Sequence, residues 1–249
     1  MLRGSGTLLN MVTILVGSGL GVLLGGRLPE RTRTVVTDAL GLVTLVIGAL
    51  SVASLSDPDL RRAVGDSAPL LIVLGALVVG GVAGSLLQLE RRLEQSGSWL
   101  QRRLTSGGTT SVSRDRFVEG YVSASLVFVV GPLAILGSLS DGLGRGIEQL
   151  ALKSTLDGFA ALAFAASLGW GVAASALSVG VVQGLLTVLG LLLGGLLPPE
   201  QIAAITATGG VLLLGVGLRL LALKAVAVGD LLPALVVAPL LTALVAALR

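Results

Sequence analysis

The chain has 249 residues, of which 53% are hydrophobic and 12% charged, with 36 glycines and a formal net charge of +3. A soluble domain is about 45–50% apolar and about 25% charged, so this composition suits lipid better than water as solvent. With no Cys and no His, disulfides, thiolate metal sites and imidazole acid–base chemistry are excluded, and the basic residues lie in short stretches beside apolar runs, which argues against a nucleic-acid partner.

A spanning helix needs about 20 mostly apolar residues. Spans are expected at 8–26, 37–55, 68–88, 118–138, 154–173, 177–197, 203–223 and 231–248. They predict an all-α, polytopic transmembrane helix bundle of about eight spans, forming a single integral membrane domain over 1–249. The first run has only Arg3 ahead of it, no small-x-small cleavage site, and a close at Arg27 and Pro29. It therefore reads as a retained helix and not as a signal peptide. The apolar stretch 154–197 is too long for one span. A break is expected around Gly169-Trp170-Gly171 or between Ser175 and Ser178, and a half that only dipped into the bilayer would leave seven spans.

The extended polar segment is 89–117. Leu86, Leu89, Leu93, Leu100 and Leu104, with charges between them, have the spacing of an amphipathic helix on the membrane surface. A flexible linker rich in Ser, Thr and Gly follows over 105–113. The plainer reading of the whole segment is a solvated loop that fixes topology. Counting Lys and Arg by side gives six with the termini (Arg3, Arg61, Arg62, Arg145, Lys153 and Arg249). Eleven lie on the other side (Arg27, Arg31, Arg33, Arg91, Arg92, Arg102, Arg103, Arg114, Arg116, Arg219 and Lys224). The positive-inside rule then puts 89–117 in the cytoplasm and both termini outside.

An internal repeat is the most informative pattern. Gly21-Val-Leu-Leu-Gly-Gly-Arg-Leu-Pro29 aligns with Gly190-Leu-Leu-Leu-Gly-Gly-Leu-Leu-Pro198 at an offset of 169 residues. The same offset pairs Thr37 with Thr206, Gly41 with Gly210, Leu45 with Leu214 and Gly48 with Gly217. After a small slip, the run from Ala68-Pro69 faces that from Leu232-Pro233. Spans 1–3 (repeat one, 8–88) would then match spans 6–8 (repeat two, 177–249), with central helices over 118–174. Corresponding spans are an odd number apart, so the copies cross in opposite senses. Inverted repeats are a recurring build of secondary transporters, with the site near the midplane.

Charge inside a span is costly, and polar residues there are functional candidates. Lys153 and Asp157 are four apart at the start of the fifth span, with Ser154 between them. They share a helix face and can contact a substrate or ion; the plainer reading is an interfacial pair with an N-terminal cap. Ser138 and Asp141 follow the Gly131-Pro132 break, either as an ion-holding broken helix or as a kink with a capped turn. Asn10 and Gln183 are amides inside apolar runs, suited to ligand coordination or to hydrogen-bonding between helices. Asp230 reads as an N-cap or a ligand contact. Ser167, Ser175 and Ser178 look like a packing face. A Ser154–Lys153 dyad fails on geometry, because adjacent helical residues point apart. With no paired carboxylates in a span either, an enzyme is not expected, and no cofactor or metal is implied.

Several of these motifs carry a resemblance. Lys153-Ser-x-Leu-Asp-Gly158, Gly169-x-Gly-Val-x-x-Ser-Ala176, Gln183-Gly184 and Gly131-Pro-x-Ala-Ile-Leu-Gly-Ser-Leu-x-Asp-Gly142 resemble the YdfK/YqgA-type bacterial membrane proteins, domain-of-unknown-function family 554. So do Gly6-Thr-Leu-Leu-Asn10, Gly209-Gly210 and Leu231-Leu-Pro-Ala234, in order along nearly the whole chain. Asp230 departs from the Asn that this pattern leads one to expect. The resemblance implies a bacterial inner-membrane protein and draws attention to the Lys153–Asp157 and Ser138–Asp141 segments; it implies no substrate.

The expected function is an inner-membrane secondary transporter or permease for a small solute or ion, with the lipid bilayer as surroundings. The alternative is a non-transporting scaffold or partner subunit. Gly17, Gly21 and Gly25, at four-residue spacing, would suit a homodimer. A hydrated cavity reaching Asp157 or Asp141 would favour transport, and a dry, packed bundle would favour the scaffold.

Overall fold

The computed structural model describes residues 3–25, 29–104, 111–129, 132–144, 146–193 and 198–249. Regular structure among them is helical, as lipid requires of backbone that must satisfy its own hydrogen bonds. Six helical stretches are long and apolar enough to cross a membrane, and one bent pair would make a seventh. The chain divides into two compact units, Met1–Leu40 with Leu93–Leu196, and Gly41–Arg92 with Leu197–Arg249.

The first unit is built on α1 (Ser5–Gly25), α6 (Ser111–Val129), α7 (Pro132–Gly142), α8 (Glu148–Leu168) and α9 (Gly171–Leu193). It also takes the beginning of α2 (Glu30–Val52) and most of α5 (Leu89–Leu104). On α1, Gly17, Gly21 and Gly25 lie against the backbone carbonyls of Gly158, Leu162 and Ala166 of α8. The two series rise together, so α1 and α8 run parallel. Their contact is backbone to backbone, because no Cβ fits at those three positions. Helix α9 runs antiparallel to α1: Thr7 meets Thr187, while Met11 lies against Gly180. Phe128 of α6 and Phe164 of α8 pack edge to face with centroids 6.1 Å apart. Leu8, Val12, Leu15, Val16 and Leu23 of α1 are exposed, an apolar outer face suited to acyl chains.

The second unit takes the rest of α2, α3 (Pro58–Val64), α4 (Ala68–Leu86), α10 (Pro199–Leu220), α11 (Val228–Leu231) and α12 (Ala234–Ala247). Asp57 caps α3 by accepting from Asp59 N and Leu60 N. Leu60, Val64, Ile72, Ala76, Ala203, Ala204, Ala234 and Ala238 form a core dominated by small side chains. Gly80 and Gly84 of α4 lie against the backbone of Ala234 and Asp230, so α4 and α12 run antiparallel. Helices α2 and α10 are also antiparallel, with Gly48 facing Gly210 and Gly41 facing Gly217.

Several expectations change. The stretch 154–197 breaks at Gly169, the first of the two expected places, whose φ of +79° suits glycine. The expected fourth span, 118–138, is two helices, α6 and α7, bent by 77°; Val130 and Gly131 between them, and with them the glycine of the expected break, lie outside the described residues. Helix α8 has the length of a span but carries Lys153 and Asp157, and it is not among the six. The segment read most simply as a solvated loop forms α5, with Leu100 buried and Trp99 exposed beneath the Arg103 guanidinium. Of the expected linker, 105–110 lies outside the described residues, whereas Ser111–Ser113 already belongs to α6. Much of the repeat's turn, 26–28 and 194–197, is likewise outside them, as is Arg145. Finally, the Gly17–Gly21–Gly25 stripe expected to suit a second copy is filled from within by α8.

Candidate functional site

The candidate site lies inside the first unit. Helix α8 begins at Glu148, six residues before the expected span, so Lys153 and Asp157 sit on its second and third turns. Their side chains are 8% and 10% exposed, and Lys153 Nζ donates to Asp157 Oδ2 at 2.6 Å. The pair is therefore not the N-terminal cap of its helix. The same Oδ2 accepts from Asn10 Nδ2 of α1 at 3.0 Å. Ser154 Oγ donates to Leu150 O at 2.6 Å, so its hydroxyl is spent on its own helix and no dyad forms with Lys153.

A carboxylate only accepts, so Asn10 must present its NH2 to Asp157 and its carbonyl elsewhere. That carbonyl, Asn10 Oδ1, is buried and has no hydrogen-bond partner. The same holds for Ser138 Oγ and for both ends of the Gln183 amide. A buried polar atom left unpaired costs about 1–3 kcal/mol. Ser5, Ser18 and Ser123 of the same unit also have a buried hydroxyl without a partner, but Asn10 and Gln183 are the amides among the six and call for an explanation.

Helix register relates their depths. Thr7 touches Thr187, and α1 and α9 are antiparallel. Asn10, about one turn on from Thr7, therefore lies at the depth of Gln183, one turn back from Thr187. Both residues are fully buried. On α7, Gly142 packs against the backbone of Thr187 and Leu191, and Ser138 is one turn earlier on the same face. Helix α7 also lies against α8, with Gly137 on Leu150.

Asp141 plays a different part. Its Oδ1 accepts from Gly4 N and its Oδ2 from Gly6 N, both at 3.0 Å, so this buried carboxylate closes the N-terminus of α1. Negative charge is favoured there, and both oxygens are engaged. Asp230 belongs to the second unit. It is not the cap of its own helix either: Asp230 Oδ1 accepts from Glu90 N at 2.9 Å, at the start of α5. Glu90 in turn accepts from Gly229 N at 2.6 Å and pairs with Arg219. An Asn oxygen could make the same cap, which removes the significance of the departure at position 230.

A groove of about 550 Å³ runs between α1 and α9, lined by Arg3, Thr7, Met11, Gly180, Gly184 and Thr187 among others. Neither Asp141 nor Asp157 lines it. The sequence profile of the family described as "Protein of unknown function (DUF554)" matches residues 5–243. The chain belongs to that family. It is 31% identical over 238 residues to "Uncharacterized protein YqgA" of Escherichia coli K12, covering 96% of each chain. It is 27% identical over 234 residues to "Uncharacterized membrane protein YdfK" of Bacillus subtilis, covering 94% of this chain and 93% of that one. No solved structure matches. With its apolar helices, this member of the family is an all-helical membrane protein.

Sequence reasoning missed two parts of the site region. One is the use of the Gly4 and Gly6 amides by Asp141, which no side chain advertises. The other is a hydroxyl chain in which Ser125 Oγ donates to Ser178 Oγ at 3.0 Å and Ser178 Oγ to Tyr121 OH at 2.9 Å. Ser178 was read as packing, while Ser175, which donates to Val172 O, and Ser167, beside Thr37, remain helix-to-helix or backbone contacts.

Proposed function

We propose that this chain is a secondary transporter or permease for a small solute or ion in the bacterial inner membrane. The observation that carries the reading is the Lys153–Asp157 ion pair, buried among apolar helices and tied to Asn10. Charge at such a place is expensive to keep, and in membrane proteins it marks solute and ion pathways. The α1–α9 groove passes the depth of Asn10 and Gln183, since Met11 and Gly180 line it, but neither amide is part of its lining.

The architecture is an inverted repeat in which α1, α2 and α4 correspond to α9, α10 and α12. Each helix packs on its counterpart in antiparallel fashion. The contacts are also reciprocal. At the offset of 169 residues, Gly41 corresponds to Gly210 and Gly48 to Gly217; Gly48 meets Gly210, and Gly41 meets Gly217. Met11 lies against Gly180, its own counterpart. A two-fold relation has this signature, since residue i touches j′ whenever j touches i′. If α8 and the α6–α7 pair also cross, the spans number eight and both termini lie outside.

The test is flux. Proteoliposomes carrying the purified chain would be challenged with gradients of inorganic ions, amino acids and small organic acids. Flux that is lost in Asp157→Asn supports the reading. No flux across the whole panel would give way to the scaffold.

A further inference from the structure

Resting on that reading, we propose that the cluster is a site for a dehydrated monovalent cation, held by Asn10 Oδ1, Gln183 Oε1 and Ser138 Oγ with Asp157 behind Asn10. Four facts carry it. Asn10 is oriented by Asp157, at 3.0 Å, so that a carbonyl oxygen, and not the amide nitrogen, is turned away from the carboxylate. Asn10 Oδ1, Gln183 Oε1 and Ser138 Oγ are all buried and without partners. Helix register sets Asn10 and Gln183 at one depth, with Ser138 on the α7 face that meets α9. Neutral carbonyl and hydroxyl oxygens are what replaces the hydration shell of an alkali ion inside a membrane protein.

Charge selects the valence. Lys153 already neutralises Asp157, and both oxygens of Asp141 are taken by Gly4 and Gly6. A calcium or magnesium site recruits carboxylates, and among the described residues no group of three or more His, Cys, Asp or Glu could hold a metal ion. Transition metals prefer imidazole and thiolate, which the chain lacks. An alkali ion and ammonium share the remaining chemistry: one positive charge, satisfied by neutral oxygens, among them the Asn10 carbonyl whose dipole Asp157 orients.

The experiment is thermal unfolding of the detergent-purified full chain at constant ionic strength, with choline chloride exchanged stepwise for lithium, sodium, potassium or ammonium chloride. A ligand that binds only the folded state raises Tm by mass action. The expected result is a saturable rise of several degrees for one of these cations, abolished in Gln183→Leu and weakened in Ser138→Ala. Should Gln183→Leu fail to fold, Ser138→Ala carries the comparison. The proposal is overturned if Tm is the same in all four salts and choline, or if a rise survives in both variants. The same gradients on proteoliposomes separate this proposal from the transport reading. A cation-dependent Tm without any flux keeps the site and removes transport; solute flux with no cation-dependent Tm keeps transport and removes the site.

Discussion

The two units each bury charge, and they treat it in opposite ways. In the second, Glu90 and Asp230 form a closed exchange: Asp230 receives Glu90 N, while Glu90 receives Gly229 N and pairs with Arg219. The first unit closes Asp141 in the same manner, with one backbone amide on each oxygen. Elsewhere it leaves polar atoms unmatched on Asn10, which touches the Lys153–Asp157 pair, on Gln183 and Ser138, and on Ser5, Ser18 and Ser123. Saturated carboxylates hold helix ends. Unsaturated amides buried at least as deeply as Asp141 lower stability. Burial alone does not distinguish a fastening from a site; the count of unmet hydrogen bonds does.

The largest effect is expected where that contrast is broken outright. Asp157→Ala leaves Lys153 charged and buried without its partner, which costs about 3–5 kcal/mol. Thermal unfolding should show a fall of Tm on the order of 10 °C. Replacing both partners, as in Lys153→Met with Asp157→Leu, should restore most of the stability but not flux, because two apolar groups leave no orphaned charge. A double variant as unstable as Asp157→Ala would show that the pair is structural.

Next comes the closed cap. Asp141→Ala strips two amides of α1 of their acceptor and should cost about 1–3 kcal/mol, with Asp141→Asn losing less. Because Asp141 is a fastening, any flux per folded molecule should survive Asp141→Asn. Loss of flux at unchanged stability would move Asp141 into the site and break the comparison.

Glu90→Gln is expected to cost less, about 1 kcal/mol, since the amide oxygen can still accept from Gly229 N while Arg219 loses the Glu90 carboxylate. The expected readout is a modest drop in Tm with α5 helicity retained by circular dichroism. The smallest effect has the opposite sign. Gln183→Leu removes a buried amide whose two ends are unpaired, so in choline the variant should be more stable by about 1 kcal/mol. A loss of stability there would mean that Gln183 has a partner, and the distinction between fastening and site would fail at its centre.

The site was partly legible and partly not. Asn10, Ser138, Lys153, Asp157 and Gln183 stood out because each is polar in an apolar run, and lipid makes that exception conspicuous. What could not be read was which of them meet. Asn10 and Asp157 are 147 residues apart in sequence, and nothing local states that α1 rises beside α8. The glycine stripe was visible too, but a stripe of small residues records that a backbone approaches and not whose backbone it is. Asp230 was read as a cap from its place before Leu231-Leu232-Pro233, and it is one; the helix that it caps is α5, which only tertiary contact reveals.

Composition and the period of apolar runs determined by themselves that this is a helical membrane protein, roughly where six helices long and apolar enough to cross a membrane lie, and which residues are out of place in lipid. Those properties follow from transfer free energy and helix geometry, which act residue by residue. The tertiary structure alone decided that Asp141 is saturated while Gln183 is not, that α8 fills the α1 stripe, and that Gly41 and Gly48 of α2 meet Gly217 and Gly210 of α10. Partnership depends on which two surfaces approach within hydrogen-bond distance, and in a chain of similar Leu–Gly helices that choice is settled by packing among all of them at once.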